Sequence, residues 1–400
     1  MSLPSQSHPG PHWPPGSDIA SGPATSVKWT DPLREQAFNA WLAALTGPEG
    51  LKPQTLRPAS ADASFRRYLR IDGAAGSRII MDAPPDKENC APFVNVAGLM
   101  AQAGLNVPDI LAWDAPLGFM LLGDLGSQTM MEVIQPEAPQ ANHALYMQAV
   151  DALIAWQLAS KPGVLPPYDE ALLARELALF PDWYLARHRG VTLEGQDRQT
   201  LDEAFAKIIA RNLAQPSVYV HRDFMPRNLI APALGTGVSS LPPQRAVAPW
   251  GGPAAKLHVS GPQAALGVLD FQDAVYGPIT YDVASLMRDA FLSWDEDFVL
   301  DITIRYWEKA RKAGLPVGDD FGEFYRGVEW MGLQRHLKVA GIFARLTLRD
   351  GKPKYLADAP RFLHYIRSTA DRYRELGPFL KVIDRIEGTQ PVTGFAYGRM

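Results

Sequence analysis

The chain has 400 residues with a formal net charge of −4, a sequence pI near 6.1 and a hydrophobic fraction of 46%. This composition excludes disorder of the whole chain and allows two to three domains, and the lack of a basic excess argues against nucleic acid as a principal partner. The single cysteine, Cys90, rules out an intramolecular disulfide framework. No apolar run approaches the roughly 18 residues of a membrane span, and no signal-peptide pattern is present, so we expect no membrane contact and a cytoplasmic location.

The first predicted domain follows a segment that has few residues able to bury a face. Pro, Gly and Ser dominate residues 1–28, which predicts a disordered extension. Residues 32–46 carry apolar side chains at helical spacing, and residues 56–83 form two strand-like runs around a glycine-containing turn. We therefore predict a helix and a β-hairpin in a strand-rich lobe, residues 29–125, that binds the nucleotide.

The rest of this lobe is predicted to end in a connector. Residues 91–103 indicate a helix, and residues 110–113 and 119–122 indicate two more strands. The glycines that flank the last strand favour an extended connector whose exposed backbone groups could bind adenine. Leu122 and Asp124 are therefore predicted to contact the nucleotide.

The second predicted domain, residues 126–390, is mostly helical and is followed by a C-terminal tail, residues 391–400. Apolar side chains recur at helical spacing in residues 145–156 and again after Tyr281. A small strand-rich lobe, one connector and a larger, mainly α lobe together predict a bilobal α+β fold with a ligand cleft.

The segment His221–Asn228 and the later Asp270 are predicted to carry the chemistry. In the protein-kinase signature, a loop Asp accepts the proton of the substrate hydroxyl, while an Asn and a strand-end Asp hold magnesium at the ATP phosphates. Asp223 is separated from Asn228 by four residues, as that signature requires. We therefore predict a kinase-like phosphotransferase with Asp223 as the base and with Asn228 and Asp270 as Mg²⁺ ligands. For each of these residues taken singly, the alternative interpretation is that its side chain only caps a turn or a helix.

An unusually long segment separates the two predicted metal ligands. Most of it, residues 232–264, is rich in Gly, Pro, Ser and Ala, which predicts a surface insertion. A lid over the site is the alternative interpretation.

These motifs resemble the aminoglycoside phosphotransferase superfamily, whose kinase-like enzymes phosphorylate small molecules, and the resemblance covers roughly residues 33–380. It rests on His221–Asn228, Leu269–Asp273, Gly277–Pro278 and Tyr281–Ala284. A narrower similarity, to the anomeric N-acetylmuramate/N-acetylglucosamine kinases of cell-wall recycling, rests on Asp62–Tyr68, Met81–Pro85, Phe224–Asn228 and Met331–Lys338.

The narrower resemblance implies ATP-dependent phosphorylation of the sugar C1 hydroxyl in peptidoglycan recycling. It implies that a nucleotidyltransferase uses the 1-phosphate and that the route bypasses the precursor steps blocked by fosfomycin. The family pattern makes Asp223 the base and assigns magnesium to Asn228 and Asp270. It also makes Asp282, at a helix start, a structural residue that braces the catalytic loop.

The predicted third strand departs from the family pattern. Kinase-like folds usually place a Lys there, beside the nucleotide phosphates, yet residues 78–82 contain none. We hypothesise that Arg66 or Arg67, next to a turn at Ser64 and Phe65, supplies the missing positive charge. These four residues complete the predicted nucleotide-binding set.

Sugar recognition is predicted from basic residues beside aromatic ones in the helical lobe. The lactyl carboxylate of N-acetylmuramate suits a bidentate Arg. Arg187, His188, Arg335 and Lys338 are the predicted substrate-binding residues. The alternative is that they lie on ordinary helix faces with solvated or ion-paired charges.

Three classes of function remain open at this point. The first is the amino-sugar kinase, and the second is another small-molecule kinase of the same fold that acts on an aminoglycoside, choline or homoserine. The third is a non-catalytic nucleotide-binding regulator, an interpretation motivated by the missing Lys.

Overall fold

The protein is described by a computed structural model that covers residues 27–61, 65–232 and 265–389. Residues 1–26 of the predicted extension, residues 233–264 of the predicted insertion and the predicted tail lie outside the described residues. The described chain divides into two compact units. The strand-rich unit contains residues 27–90 and 110–124, and the helical unit contains residues 91–109 and 125–389.

The strand-rich unit is one helix packed on a five-stranded antiparallel sheet of order β1-β2-β3-β5-β4. Its elements are α1 Pro32–Glu49, β1 Lys52–Ala61, β2 Arg67–Gly73, β3 Gly76–Asp82, β4 Ile110–Asp114 and β5 Phe119–Gly123. The helix predicted over residues 32–46, the hairpin and the two later strands are thus confirmed.

Local sequence explains how α1 begins and why a glycine precedes β5. Asp31 caps the helix, because its Oδ1 accepts hydrogen bonds from the backbone N–H groups of Leu33 and Arg34 at 2.9 and 3.3 Å. Gly118 precedes β5 with φ of +68°, and a Cβ there would lie 2.0 Å from the carbonyl oxygen of Ala83. Only glycine fits this position.

The helical unit contains ten α-helices among its described residues, together with two short antiparallel strand pairs. The helices are α2 Ala91–Gln102, α3 Met130–Val133, α4 His143–Leu158, α5 Glu170–Leu177, α6 Gly195–Leu213, α7 Tyr281–Met287, α8 Glu296–Lys312, α9 Phe321–Leu348, α10 Ala359–Arg372 and α11 Gly377–Glu387. The strands are β6 Ser217–Val220, which pairs with β9 Val275–Pro278, and β7 Leu229–Ile230, which pairs with β8 Gly267–Val268. The α+β class predicted from the sequence is confirmed.

Helix α9 forms the centre of the helical unit. Six of its buried side chains belong to a core cluster that also includes residues of α6, α10, α11 and a π-helical segment, Phe180–His188. The backbone just before that segment approaches α9 closely, since a Cβ on Gly341 would lie 2.3 Å from the carbonyl oxygen of Leu179. No helix in the described ranges is both long and apolar enough to cross a membrane.

Candidate active site

The predicted base and the two predicted metal ligands lie together in the helical unit. Asp223 follows β6, Asn228 ends a short 3-10 helix, and Asp270 follows β8. The Nδ2 of Asn228 donates hydrogen bonds to the backbone carbonyl of Asp223 at 3.0 Å and to Oδ2 of Asp270 at 3.2 Å. Gln272 Nε2 donates to the other carboxylate oxygen of Asp270 at 2.9 Å. The β7–β8 pairing therefore brings together residues that are far apart in the sequence.

The backbone is strained at two positions of this site. Arg222 and Asp270 have φ values of +77° and +63°, and they are the two non-glycine residues with positive φ in the described part of the chain. Such conformations are uncommon for side-chain-bearing residues and persist only where surrounding contacts fix them. One of these residues precedes Asp223 and the other is the predicted metal ligand.

Asp282, at the start of α7, supplies contacts that fix the loop. Its Oδ2 accepts a hydrogen bond from the backbone N–H of His221 at 2.7 Å, and its Oδ1 accepts one from the backbone N–H of Arg222 at 3.0 Å. Burial raises the pKa of Asp282 to about 7, although both hydrogen bonds act to lower it. The predicted bracing role of Asp282 is confirmed by these contacts.

His221 links the loop to the strand before Asp270. The backbone N–H of Asp223 donates to Nδ1 of His221 at 3.2 Å, so Nδ1 must be the unprotonated nitrogen. The proton is then on Nε2, which donates to the carbonyl oxygen of Leu269 at 3.0 Å. Burial lowers the pKa of His221 to about 4, so the ring is neutral at pH 7. His221 therefore acts as an uncharged structural bridge.

Glu176 in α5 anchors the side chain of Arg222. Its Oε1 accepts from Arg222 Nη2 at 2.5 Å and from Lys338 Nζ at 2.9 Å. Its Oε2 accepts from the hydroxyl of Tyr168 and from Gln334 Nε2 at 3.0 Å. Burial alone would raise the pKa of Glu176, but the charges of Lys338 and Arg222 together with the hydrogen bonds lower it to about 2. Glu176 is therefore a fully hydrogen-bonded, ionised carboxylate at neutral pH.

Two predicted substrate residues, Arg335 and Lys338, lie on α9 within the same network. Arg335 Nη1 donates to the backbone carbonyl of Arg222 at 2.7 Å, and its guanidinium lies 4.7 Å from the ring centre of Tyr281. Lys338 Nζ also donates to the Tyr281 hydroxyl at 3.2 Å. Both side chains are buried. The described contacts give them a role in holding Arg222, and their predicted role in substrate binding stays a prediction.

The other two predicted substrate residues lie in the π-helical segment. Arg187 is exposed, and its guanidinium lies 4.3 Å from the ring centre of Trp183. His188 is partly buried beside Tyr184, with ring centres 5.3 Å apart. Partial burial and the charge of Arg189 lower the pKa of His188. No described contact joins Arg187 or His188 to the catalytic loop.

One of the predicted nucleotide-binding residues next to β2, Arg66, forms an ion pair. Arg66 Nη2 lies 3.1 Å from Oε2 of Glu88, and both side chains are largely buried. The backbone N–H of Phe65 donates to Oε1 of the same Glu88 at 3.1 Å, while the Phe65 ring is exposed. Ser64 lies outside the described residues.

The remaining predicted nucleotide residues take part in contacts within the sheet. Arg67 forms two hydrogen bonds with Oδ2 of the buried Asp82, which ends β3. Leu122 is a buried residue of β5. The Asp124 carboxylate accepts from Arg70 Nε and Nη2 at 2.7 and 3.1 Å. The nucleotide roles of Arg67, Leu122 and Asp124 stay predictions.

The donor set at Asn228 and Asp270 fits a magnesium ion. One amide oxygen and one carboxylate are hard oxygen donors, and Mg²⁺ in phosphoryl-transfer sites takes few protein ligands because phosphate and water oxygens complete its shell. No group of three His, Cys, Asp or Glu side chains that could form an all-protein cage is present within residues 27–61, 65–232 and 265–389.

Glu176 is a residue of this site that sequence analysis did not predict. A usable signal was present, because Glu176 lies at helical spacing from Leu173 and beside Leu177, both of which are buried. An acidic residue on the apolar face of an amphipathic helix indicates a buried and paired carboxylate.

Comparisons with known proteins give consistent results. The model of the "Phosphotransferase enzyme family" matches residues 55–239 and 257–319. A protein of Pseudomonas aeruginosa named N-acetylmuramate/N-acetylglucosamine kinase is 48% identical over 354 residues, which cover 87% of this chain and 95% of that protein. A protein of the same name from Neisseria meningitidis serogroup B is 46% identical over 342 residues, 85% of this chain and 93% of that protein.

A solved structure extends the comparison to the fold. A choline/ethanolamine kinase family protein from Mesorhizobium loti superposes with a TM-score of 0.52 over 87% of this chain and 99% of that chain. The sequence identity is 15%, so this similarity concerns the fold alone. The kinase-like fold predicted from the sequence is confirmed.

Proposed function

Because the chain belongs to the phosphotransferase enzyme family, we propose that it transfers the γ-phosphoryl group of ATP to the C1 hydroxyl of N-acetylmuramate and N-acetylglucosamine. The observation that carries this proposal is the grouping of Asp223, Asn228 and Asp270 in one hydrogen-bonded site. The names of the two bacterial relatives support the choice of acceptor.

In the proposed reaction Asp223 is the general base. The C1 hydroxyl attacks the γ-phosphorus, the bond from that phosphorus to the bridging oxygen of ADP breaks, and the hydroxyl proton passes to the Asp223 carboxylate. A hemiacetal hydroxyl is more acidic than an ordinary alcohol, so the base needs good placement more than an unusual pKa. The contacts of Asp282 and Arg335 with the backbone next to Asp223 supply that placement.

Asn228 and Asp270 would hold magnesium in the proposed complex. A bound magnesium ion neutralises charge on the ATP phosphates and supports phosphoryl transfer. The chain's own contribution is to fix the two oxygen donors beside the base, through the Asn228–Asp270 hydrogen bond and the Gln272 contact.

For the nucleotide phosphates, the ion pair of Arg66 with Glu88 favours Arg66 over Arg67. In protein kinases a Lys that holds the phosphates is kept in place by a Glu partner. Arg66 with Glu88 reproduces such a cation–carboxylate pair, whereas Arg67 is bound to Asp82 at the end of β3. In this proposal Ser64 and Phe65 complete the phosphate side, and Leu122 and Asp124 lie on the adenine side.

The proposed product is an amino-sugar 1-phosphate, which would be the substrate of an enzyme that activates sugar phosphates. We infer that a nucleotidyltransferase is the next enzyme, and that both act in the cytoplasm, where ATP is supplied. We also propose that the strand-rich unit binds the nucleotide and that the helical unit binds the sugar and the metal.

An acceptor screen tests the proposal against the other small-molecule kinases. Wild-type protein, ATP and Mg²⁺ are combined with N-acetylmuramate, N-acetylglucosamine, an aminoglycoside, choline or homoserine, and phosphorus NMR fixes the position of the new phosphate. We expect ADP release only with the amino sugars, a phosphate on C1, and no turnover in Asp223→Asn. Turnover of choline or a drug without turnover of either sugar would overturn the proposal.

A further inference from the structure

The catalytic loop carries an exposed arginine, Arg227, whose guanidinium group is available to a ligand. The guanidinium lies over the ring of Phe291, 4.3 Å from the ring centre. Within the described part of the chain it forms no hydrogen bond and no ion pair. A cation over an aromatic face is stabilised without using its N–H donors, of which a guanidinium has five. Arg227 can therefore bind an oxyanion without giving up a hydrogen-bond partner.

The other basic side chains around the loop already have partners. Arg222 Nη2 and Lys338 Nζ both bind the carboxylate of Glu176. Arg335 Nη1 donates to the backbone carbonyl of Arg222 at 2.7 Å. An anion that approached these three cations would compete with contacts that hold the loop, whereas an anion at Arg227 would not.

The ring under Arg227 is fixed in position, and its surroundings tolerate an anion. The backbone N–H of Phe291 donates to Oδ1 of the buried Asp289 at 2.8 Å. Burial raises the pKa of Asp289 to about 6, while the charges of Arg335, Arg227 and Arg361 act to lower it. This carboxylate is thus enclosed in the protein and faces three cations, one of which is the exposed Arg227.

Arg227 lies close to the proposed base, and its side chain is directed away from the predicted metal ligands. The Asn228 amide contacts the Asp223 carbonyl at 3.0 Å, and consecutive Cα atoms are about 3.8 Å apart, so the Arg227 backbone lies within about one side-chain length of the Asp223 backbone. Asn228 points to Asp270, whereas Arg227 points to Phe291 in the connection between α7 and α8. In an in-line transfer the acceptor lies opposite the ADP leaving group. The position of Arg227 therefore suits a contact with the acceptor.

We propose that Arg227 binds the carboxylate of the acidic acceptor, N-acetylmuramate, and thereby sets the preference between an acidic and a neutral amino sugar. The inference rests on the proposed function. N-acetylmuramate differs from N-acetylglucosamine by a lactyl ether on C3, and the two oxygens of its carboxylate match the planar fork of a guanidinium. Because Phe291 already orients the guanidinium, little side-chain freedom is lost when the sugar binds.

The test combines arginine variants with three acceptors: N-acetylmuramate, its lactyl methyl ester, which lacks the negative charge, and N-acetylglucosamine. Loss of a charge-assisted hydrogen bond at an exposed site changes a binding constant roughly tenfold. We expect the ratio of kcat/KM for N-acetylmuramate to that for N-acetylglucosamine to fall roughly tenfold in Arg227→Gln. The ratio of the ester to N-acetylglucosamine should change much less, because the ester offers no charge to Arg227.

Arg311→Gln is the matched control. Arg311 is also an exposed arginine over an aromatic ring, 5.3 Å from the ring centre of Trp307 in α8, and it pairs with Asp319. We expect the wild-type ratio of acidic to neutral sugar in this variant. Arg227→Lys keeps the charge but loses the fork, so it should lower the ratio less than Arg227→Gln does, and it replaces Arg227→Gln if that variant does not fold.

Several results would overturn the inference. They are an unchanged ratio of acidic to neutral sugar in the folded Arg227 variant, an equal change in Arg311→Gln, and an equal fall for N-acetylmuramate and its ester. Wild-type turnover of N-acetylglucosamine alone would also overturn it. Absence of wild-type turnover with both sugars would instead overturn the proposed function.

Discussion

Glu176→Gln is expected to destabilise the protein in a way that depends on pH. The carboxylate holds Arg222 and Lys338, and its pKa falls from an ordinary value of 4.5 to about 2 in the folded protein. At 1.36 kcal/mol per pKa unit this contributes about 3 kcal/mol to the free energy of unfolding at pH 7. Because the folded pKa is the lower one, the contribution is complete above about pH 5.5 and is lost as the pH falls towards 2.

Chemical denaturation at several pH values measures this contribution. Linkage predicts that wild type loses about 1 kcal/mol from this group between pH 7 and pH 4, and about 2 kcal/mol by pH 3, and that Glu176→Gln lacks this component. Glu323→Gln is the matched control, because Glu323 pairs with Arg211 on the surface, where such a pair contributes about 0.2–1 kcal/mol. The reasoning is refuted if Glu176→Gln and wild type show the same pH dependence, or if Glu323→Gln is destabilised as much as Glu176→Gln.

Three further substitutions test the loop, the nucleotide contact and the metal ligand. Asp282→Asn offers one acceptor oxygen to two backbone N–H groups, so we expect a loss of about 1–3 kcal/mol in unfolding free energy and a lower kcat, measured by denaturation and turnover. Arg66→Gln is expected to raise the dissociation constant for ATP about tenfold or more, whereas Arg67→Gln should mainly lower the stability of the protein. ATP titrations that show equal effects of the two substitutions would contradict the assignment of Arg66 to the phosphates. Asp270→Asn should require a higher magnesium concentration for half-maximal turnover, and an unchanged requirement would exclude Asp270 as a ligand.

Much of the fold was predictable from local signals. The helix after Asp31 has a capping residue and apolar side chains at helical spacing, and strands β2 and β3 form the hairpin that the alternating pattern of residues 56–83 predicts. These elements follow from short-range sequence patterns, which the rest of the fold does not overrule.

The grouping of Asp223, Asn228 and Asp270 was predictable because their proposed chemistry limits both residue type and spacing, whereas the contacts of the basic residues were not. Arg335 and Lys338 lie on a helix that is buried over most of its length, and their partners Arg222 and Glu176 are more than a hundred residues away. A single sequence does not specify which distant carboxylate or carbonyl a buried cation meets.

The placement of Asp223 depends on how its neighbour Arg222 is held. A non-glycine residue at φ of +77° costs about 1–3 kcal/mol, so the local sequence alone does not favour this backbone. Asp282 binds the Arg222 N–H, Arg335 binds its carbonyl, and Glu176 binds its guanidinium. Hydrogen bonds to charged groups contribute about 1.5–3 kcal/mol each, so the three together exceed the cost of the strain. The proposed base is therefore positioned by tertiary contacts, and we expect any substitution that removes one of them to lower kcat even though none of the three residues is assigned a role in the chemical step.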